Sequence, residues 1–212
     1  MPDTRRRPRG AGRAAAASPT DEAALRRTID AYLVSGRAGD AASFVLSALG
    51  AELFGVLTVV LDDRLATRVV YGAISDALGR EIDSFAWRCS LRIWAYAVAR
   101  RELARLRSNR EAPRTPVSVP SPRRPFSGTP YRSTFTSSLA ARLRDGLSTE
   151  DRELLVLRVD RGFTWAELAV MSLGERASPR RAATEAEDLR ARFARIRAKI
   201  ARRAARHGVV VR

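Results

Sequence analysis

The sequence predicts an all-α fold, with two small helical domains joined by a flexible Pro-rich linker and a helix-turn-helix at the C-terminal end. Three observations carry this. Apolar residues recur at helical spacing, most clearly in the stripe Leu91, Trp94, Ala95, Val98, Ala99, Leu103 and Leu106. Helix-capping patterns punctuate the second half, at Ser148, Thr164-Trp-Ala-Glu167 and Thr184-Glu-Ala-Glu187. Six of the ten prolines fall between 108 and 140, where no apolar periodicity exists and X-Pro bonds disfavour helix. Strand-type alternation and hairpin dipeptides between apolar runs are missing.

Taken in order, residues 1–20 carry five Arg against one Asp and no apolar run after the arginines. They read as a disordered basic tail rather than a secretion signal. Residues 21–107 hold 12 Arg and 11 acids and no proline, as a folded domain would. Glu22–Val34 predicts a first helix, broken at Gly36. Ala51–Leu61 predicts a second, stopped at Asp62-Asp63. Leu65–Leu78 predicts a third, ending at Gly79, and the stripe from Leu91 predicts a fourth. The run Ser43–Leu61 is long enough to cross a bilayer, but Glu52 at its middle costs about 2.5–3.5 kcal/mol on insertion, so a buried core helix is expected and no membrane insertion. Residues 108–140 form the linker, and 141–212 the second domain. There, Ser148 caps a helix over Glu150–Asp160, Thr164 opens another, and Thr184 opens a third. The intervening LGERASPRRAA implies an expanded turn, longer than the usual 3–4 residues.

The charge narrows the function. With 39 Lys+Arg against 23 Asp+Glu, the net charge is +16. That balance calls for a polyanionic partner, nucleic acid or an anionic membrane surface. One cysteine, Cys89, excludes an internal disulfide and a Cys-based zinc site, and fits a reducing cytoplasmic setting. The single histidine, His207, excludes a His-ligand metal site or a His-based triad. There is no Gly-rich phosphate loop and no nucleophile elbow. The expectation is a protein that is not an enzyme and takes no cofactor.

Two sets of residues then stand out. Residues 176–212 carry 12 basic and three acidic side chains. Leu189, Phe193, Ile196 and Ile200 form an apolar seam, while Arg192, Arg195, Lys199, Arg202 and Arg206 form a basic stripe about 110° away at 100° per residue. One side can pack while the other reaches DNA phosphates or guanine edges; a solvated basic helix with no target is the plainer alternative. Arg176, Arg180 and Arg181 add charge to the loop before it. In the first domain, Phe85, Trp87, Arg88, Arg92, Trp94, Tyr96, Arg100 and Arg101 interleave rings with cations, a pattern suited to unpaired bases. Trp94 lies on the apolar stripe and belongs to the core, whereas Trp87 and Tyr96 lie off it.

The stretch DDRLATRVVYGAISDALGREIDSFAWRCSLRIWAYAVARRELARLR, residues 62–107, resembles the promoter-melting domain of extracytoplasmic-function sigma factors, most of all in SLRIWAYAVARR. LSTEDRELLVLRVDRGFTWAELAVM, residues 147–171, is similar to the start of that family's promoter-reading domain, and LRARFARIRAKI to its recognition helix. The resemblance implies a dissociable initiation subunit whose partners are core RNA polymerase and promoter DNA, with an anti-sigma protein as a further partner. It implies that the loop Asp83–Ser90 holds a flipped base. The melted strand would then meet Trp87, Arg88, Arg92, Tyr96, Arg100 and Arg101, and the upstream duplex Arg190, Arg192, Arg195 and Lys199. Where the family often carries an acidic pair and a Gln, this chain has Thr67, Arg68 and Tyr71, so the polymerase contacts pass to Asp76 or Glu81. Two alternatives remain: a helix-turn-helix regulator that no longer binds polymerase, and a basic RNA-binding protein.

Overall fold

A computed structural model describes residues 19–108, 144 and 146–206 of the chain. The expected basic tail up to residue 18 and the proline segment after Ser108 lie outside the described residues. Among those described, every regular element is helical and none is a strand. The first four helices are α1 (Pro19–Val34), α2 (Ala38–Leu61), α3 (Arg64–Glu81) and α4 (Leu91–Ser108). After the proline segment come α5 (Thr149–Leu155), α6 (Trp165–Leu173) and α7 (Pro179–Arg206).

Local chemistry explains most boundaries. Gly36 adopts φ 68°, which turns the chain at the end of α1. Asp62 ends α2 with φ 52°, and the Asp63 carboxylate then accepts from the Leu65 and Ala66 amides at 2.8 and 3.0 Å. The α2 helix starts at Ala38 rather than Ala51. Its first half is small and apolar on several sides, so no periodic contrast marks it, yet Ala41, Ala42 and Val45 pack in the core. Gly79 does not end α3, which continues to Glu81.

In the C-terminal segment Ser148 caps α5, its hydroxyl accepting from the Asp151 amide. A π-helical turn, Val156–Asp160, extends α5, and Gly162 at φ 70° redirects the chain. The Thr164–Glu167 capping box forms as expected: Glu167 accepts from the Thr164 amide at 2.7 Å, and Thr164 accepts from the Glu167 amide at 3.2 Å. The start of α7 differs from the expectation. It begins at Pro179, a residue suited to the first helical position, with the Ser178 hydroxyl facing the Arg181 amide at 3.4 Å. Thr184 lies inside the helix and donates back to the Arg180 carbonyl at 3.2 Å, so it caps nothing. The turn between α6 and α7 is therefore only Gly174–Ser178, not the expanded loop.

The two segments share one core. Ile29, Val45, Leu53, Ile74, Leu78 and Val98 are continuous with Leu154, Leu157, Phe163, Leu168 and Met171. Helix α2 packs on α3, α5 and the π turn, while α4 packs on α3 and α6. Among the described residues α2 is the one helix long and apolar enough to cross a membrane. Here it lies against protein, with Leu53, Val56, Leu57 and Val60 buried. Removing the α3 cap with Asp63→Ala is expected to cost about 1 kcal/mol, or a fall in Tm of roughly 2–4 °C. Thermal unfolding followed by circular dichroism measures this; an unshifted Tm would show that the cap does nothing.

Candidate nucleic-acid interface

The apolar surface of α2 is interrupted by Glu52, and the ring-and-cation face of α4 is built around that carboxylate. Arg92 donates to it through Nε at 3.1 Å and through a second nitrogen at 2.5 Å. The Tyr96 hydroxyl donates to the same oxygen at 3.1 Å. Arg161 adds its charge at 3.8 Å and donates to the Glu52 carbonyl at 3.2 Å. A Cβ at Gly55 would come within 3.3 Å of the Arg161 guanidinium, so a small residue one turn after Glu52 leaves that side chain room. Phe163 closes the group: the Arg92 guanidinium lies 4.0 Å from its ring centre, and the Tyr96 ring meets it edge-on at 5.0 Å.

The loop before α4 is pinned from two sides. Glu22 of α1 accepts from the Leu91 amide at 2.7 Å. Glu175, from the turn after α6, accepts from the Ala86 and Arg88 amides at 3.4 Å each. Trp87 sits between those amides with φ 57°, and this left-handed residue turns both N–H groups toward one carboxylate. The Trp87 ring rests between Phe85, centroid to centroid 4.6 Å, and the Arg26 guanidinium at 5.4 Å. Cys89 is half-buried and its thiol is pushed up to about 11 by burial, then by Glu175 and Glu22.

Further along α4, Arg100 pairs with Glu153 at 3.1 Å and donates to the Ser172 hydroxyl at 2.8 Å. Arg107 pairs with Glu150 at 2.6 Å. Burial raises the Glu153 carboxyl above its ordinary range, outweighing the attraction of Arg100 and Arg107. Glu150 is shifted down, first by a hydrogen bond from its own backbone at the α5 N-terminus and also by Ser148, Arg107 and Arg192. Burial, and then the Glu52 charge, push the Tyr96 hydroxyl far above its usual value, so it stays protonated and donates.

Helix α7 carries the exposed charge. At about 100° per residue, Leu189, Phe193, Ile196, Ile200 and Ala204 span one sector, and Leu189, Ile196 and Ala204 are buried. Arg181, Arg195, Lys199, Arg202 and Arg206 cluster about 120° from that seam, all exposed, and none pairs with another described residue. The stripe runs along roughly 37 Å of helix at 1.5 Å per residue.

These positions correct several expectations. Tyr96 is 2% exposed and belongs to the core, so it cannot meet a base in this arrangement. Arg92 and Arg100 are half-buried and engaged by Glu52 and Glu153. Trp94 stacks on Phe85 at 4.8 Å in the core, as its stripe implies. Trp87 is partly exposed, and Arg88 and Arg101 are exposed, though Arg101 pairs with Glu81. That pair occupies one of the two acids expected to contact polymerase; Asp76 is exposed. On α7, Arg190 does not share the face of Arg195 and Lys199, whereas Arg192 lies at the edge of that face nearest the seam and is engaged by Asp151. Arg190 pairs with Glu187 and lies near Trp165, and Arg192 pairs with Asp151 at 2.7 Å. Arg181 joins the face instead, because α7 begins early enough to include it. Glu52, Arg161, Phe163 and Glu175 had no place in the expected site, although a lone acid inside an apolar run was a visible signal for the first.

Comparison with protein-family models, curated proteins and solved structures gives no match. What the chain can do therefore rests on its own geometry. That geometry offers an exposed line of cations on one helix and a second cationic face on α4 covered by the segment 149–175. Among the described residues no group of His, Cys, Asp or Glu is placed to hold a metal ion.

Glu52→Ala leaves Arg92 and Arg161 facing each other without their carboxylate. The expected loss is about 2–4 kcal/mol, below that of a fully buried pair because 19% and 23% of the Arg92 and Glu52 side chains stay exposed. Urea unfolding measures it, and a loss under 1 kcal/mol would show that the group is not central. Glu153 predicts a pH effect. A carboxyl raised in the folded state weakens folding as pH climbs from its ordinary value near 4.5 through the folded value. Glu153→Gln should therefore improve in stability relative to wild type as pH rises through that window. Glu150, shifted the other way, acts only below about 4.5. A difference between wild type and Glu153→Gln that is flat from pH 4.5 upward would contradict the buried-carboxylate account.

Proposed function

We propose that this chain is a DNA-binding transcription-initiation subunit, a sigma factor of the extracytoplasmic-function type. It binds core RNA polymerase, reads promoter DNA and supports strand opening. The observation that carries the proposal is α7: a 28-residue helix joined to the capped α6 by a five-residue turn, with Leu189, Ile196 and Ala204 of its seam buried and Arg181, Arg195, Lys199, Arg202 and Arg206 outward. Helix α6, the turn and α7 act as a helix-turn-helix, with α6 bracing the reader and α7 presenting cations to the upstream duplex. The ring-and-cation face of α4 and the adjoining Trp87 loop serve the separated strand. Both tasks are binding and deformation of DNA, so the subunit is not itself an enzyme, needs no cofactor and works in the cytoplasm. The segments 21–107 and 141–212, which share one core in this arrangement, act on the promoter as two domains joined through the proline segment.

The cover over Arg92, Tyr96 and Arg100 favours a second reading, a helix-turn-helix regulator that binds duplex DNA and leaves polymerase alone. Run-off transcription with bacterial core polymerase on genomic fragments separates the two. Specific transcripts are expected from the sigma factor, and duplex binding without transcripts from the regulator.

Duplex binding should fall steeply with salt, since each phosphate contact releases counterions. Arg202→Ala and Arg206→Ala should each weaken binding to all sequences and reduce the salt slope by about one. Arg195→Ala should cost about 1–3 kcal/mol and relax one base position if it reads a guanine. Arg190→Ala, on the other side of the helix, should change little. Fluorescence anisotropy across a salt series measures all four, and equal losses at 190 and 202 would refute the assigned face.

A further inference from the structure

We propose that residues 149–175 act as an internal stand-in for a single strand, closing the α4 face until that segment moves away. The proposal rests on assigning single-strand binding to that face. Its basis is the chemistry of each contact. The segment 149–175 carries six acidic and three basic residues in a chain whose net charge is +16. Its acids lie where phosphates would: Glu150 on Arg107 at 2.6 Å, and Glu153 on Arg100 at 3.1 Å. Its Phe163 ring lies where a base would stack, 4.0 Å from the Arg92 guanidinium and edge-on to Tyr96. Glu175 fills the two-amide nest around Trp87, an arrangement of N–H groups that suits any anion.

These contacts follow one line. Arg92, Tyr96, Arg100, Leu103 and Arg107 recur at steps of three and four, one side of α4. The later segment covers this side through Phe163, Glu153 and Glu150, while Glu52 of α2 holds Arg92 and Tyr96 beneath it, and the cleft left between α2, α4 and the segment holds only about 20 Å³, roughly the room of one water. Chain connectivity does not forbid parting: residues 109–148 have a contour length of roughly 130 Å at about 3.3 Å per residue. A strand and the segment thus compete for Arg100, Arg107 and the ring position over Arg92, and the apparent affinity of the strand scales with the open fraction.

The test uses the full chain and a fluorescent single-stranded oligothymidylate, with hydrogen exchange at the 86–103 amides as the independent measure of opening. Glu150→Gln with Glu175→Gln removes two of the stand-in charges. Phe163→Leu removes the ring and keeps an apolar filler. Asp40→Asn with Asp62→Asn makes the same change in net charge at exposed acids outside the contact. Opening should raise single-strand affinity about fivefold to twentyfold and speed exchange over 86–103 in the first two variants, and the control should do neither. Strand binding by wild type as tight as by the variants, with exchange still slow, overturns the closure. Exchange unchanged in both opening variants also overturns it, since these groups then do not hold the cover. Faster exchange with no gain in affinity overturns the single-strand assignment of α4 instead, which keeps the two failures distinct.

Discussion

The arrangement depends on one carboxylate placed inside an apolar helix. Glu52 interrupts α2 where every neighbour in the stripe is aliphatic, and a charge there is tolerated only with partners. Arg92 and Tyr96 come from α4, and Arg161 from the loop after the π turn. One group therefore fixes α2 against α4 and both against the C-terminal segment. The π turn Val156–Asp160 and Gly162 at φ 70° lie in the chain beside Arg161 and Phe163. They redirect the backbone at the point where both side chains meet Glu52 and its partners. Such a network specifies which elements meet more than it adds net stability, because the desolvation of the ions offsets much of their attraction.

The charge of the molecule is distributed by the same logic. Acids of the C-terminal segment are spent on arginines of α4, and those of α7 itself engage only Arg190 among its cations. The result is a line of five cations on the outer side of α7 that pair with no other described residue. Where that line points depends on a small matter of capping. Ser178 and Pro179 start the helix early, which shortens the turn from α6 and brings Arg181 onto the same side as Arg195.

Much of this was legible in the residues. The caps at Ser148 and Thr164 and the αL stop at Gly36 are local, since each depends on side chains and backbone within a few positions. The burial of Trp94 followed from its place on the apolar stripe. The Thr184 box failed because a competing start, Ser178-Pro179, lay upstream, and a helix already under way has no need of a second cap. The beginning of α2 was hidden because thirteen residues of mostly small and apolar type present no polar side to set the period.

The amino-acid sequence alone determined that the protein is helical, where most helices begin and end, and that a cationic helix closes the described chain. These are consequences of local propensity and of a charge balance that needs no coordinates. Only the tertiary structure decided which cations face outward. Arg92, Tyr96 and Arg100 share spacing with exposed candidates, yet they lie beneath Phe163, Glu153 and Ser172, residues about seventy positions or fewer away in the chain. Periodicity identifies a side of a helix but not what will cover it, because that depends on long-range packing and on where a buried charge finds its partners.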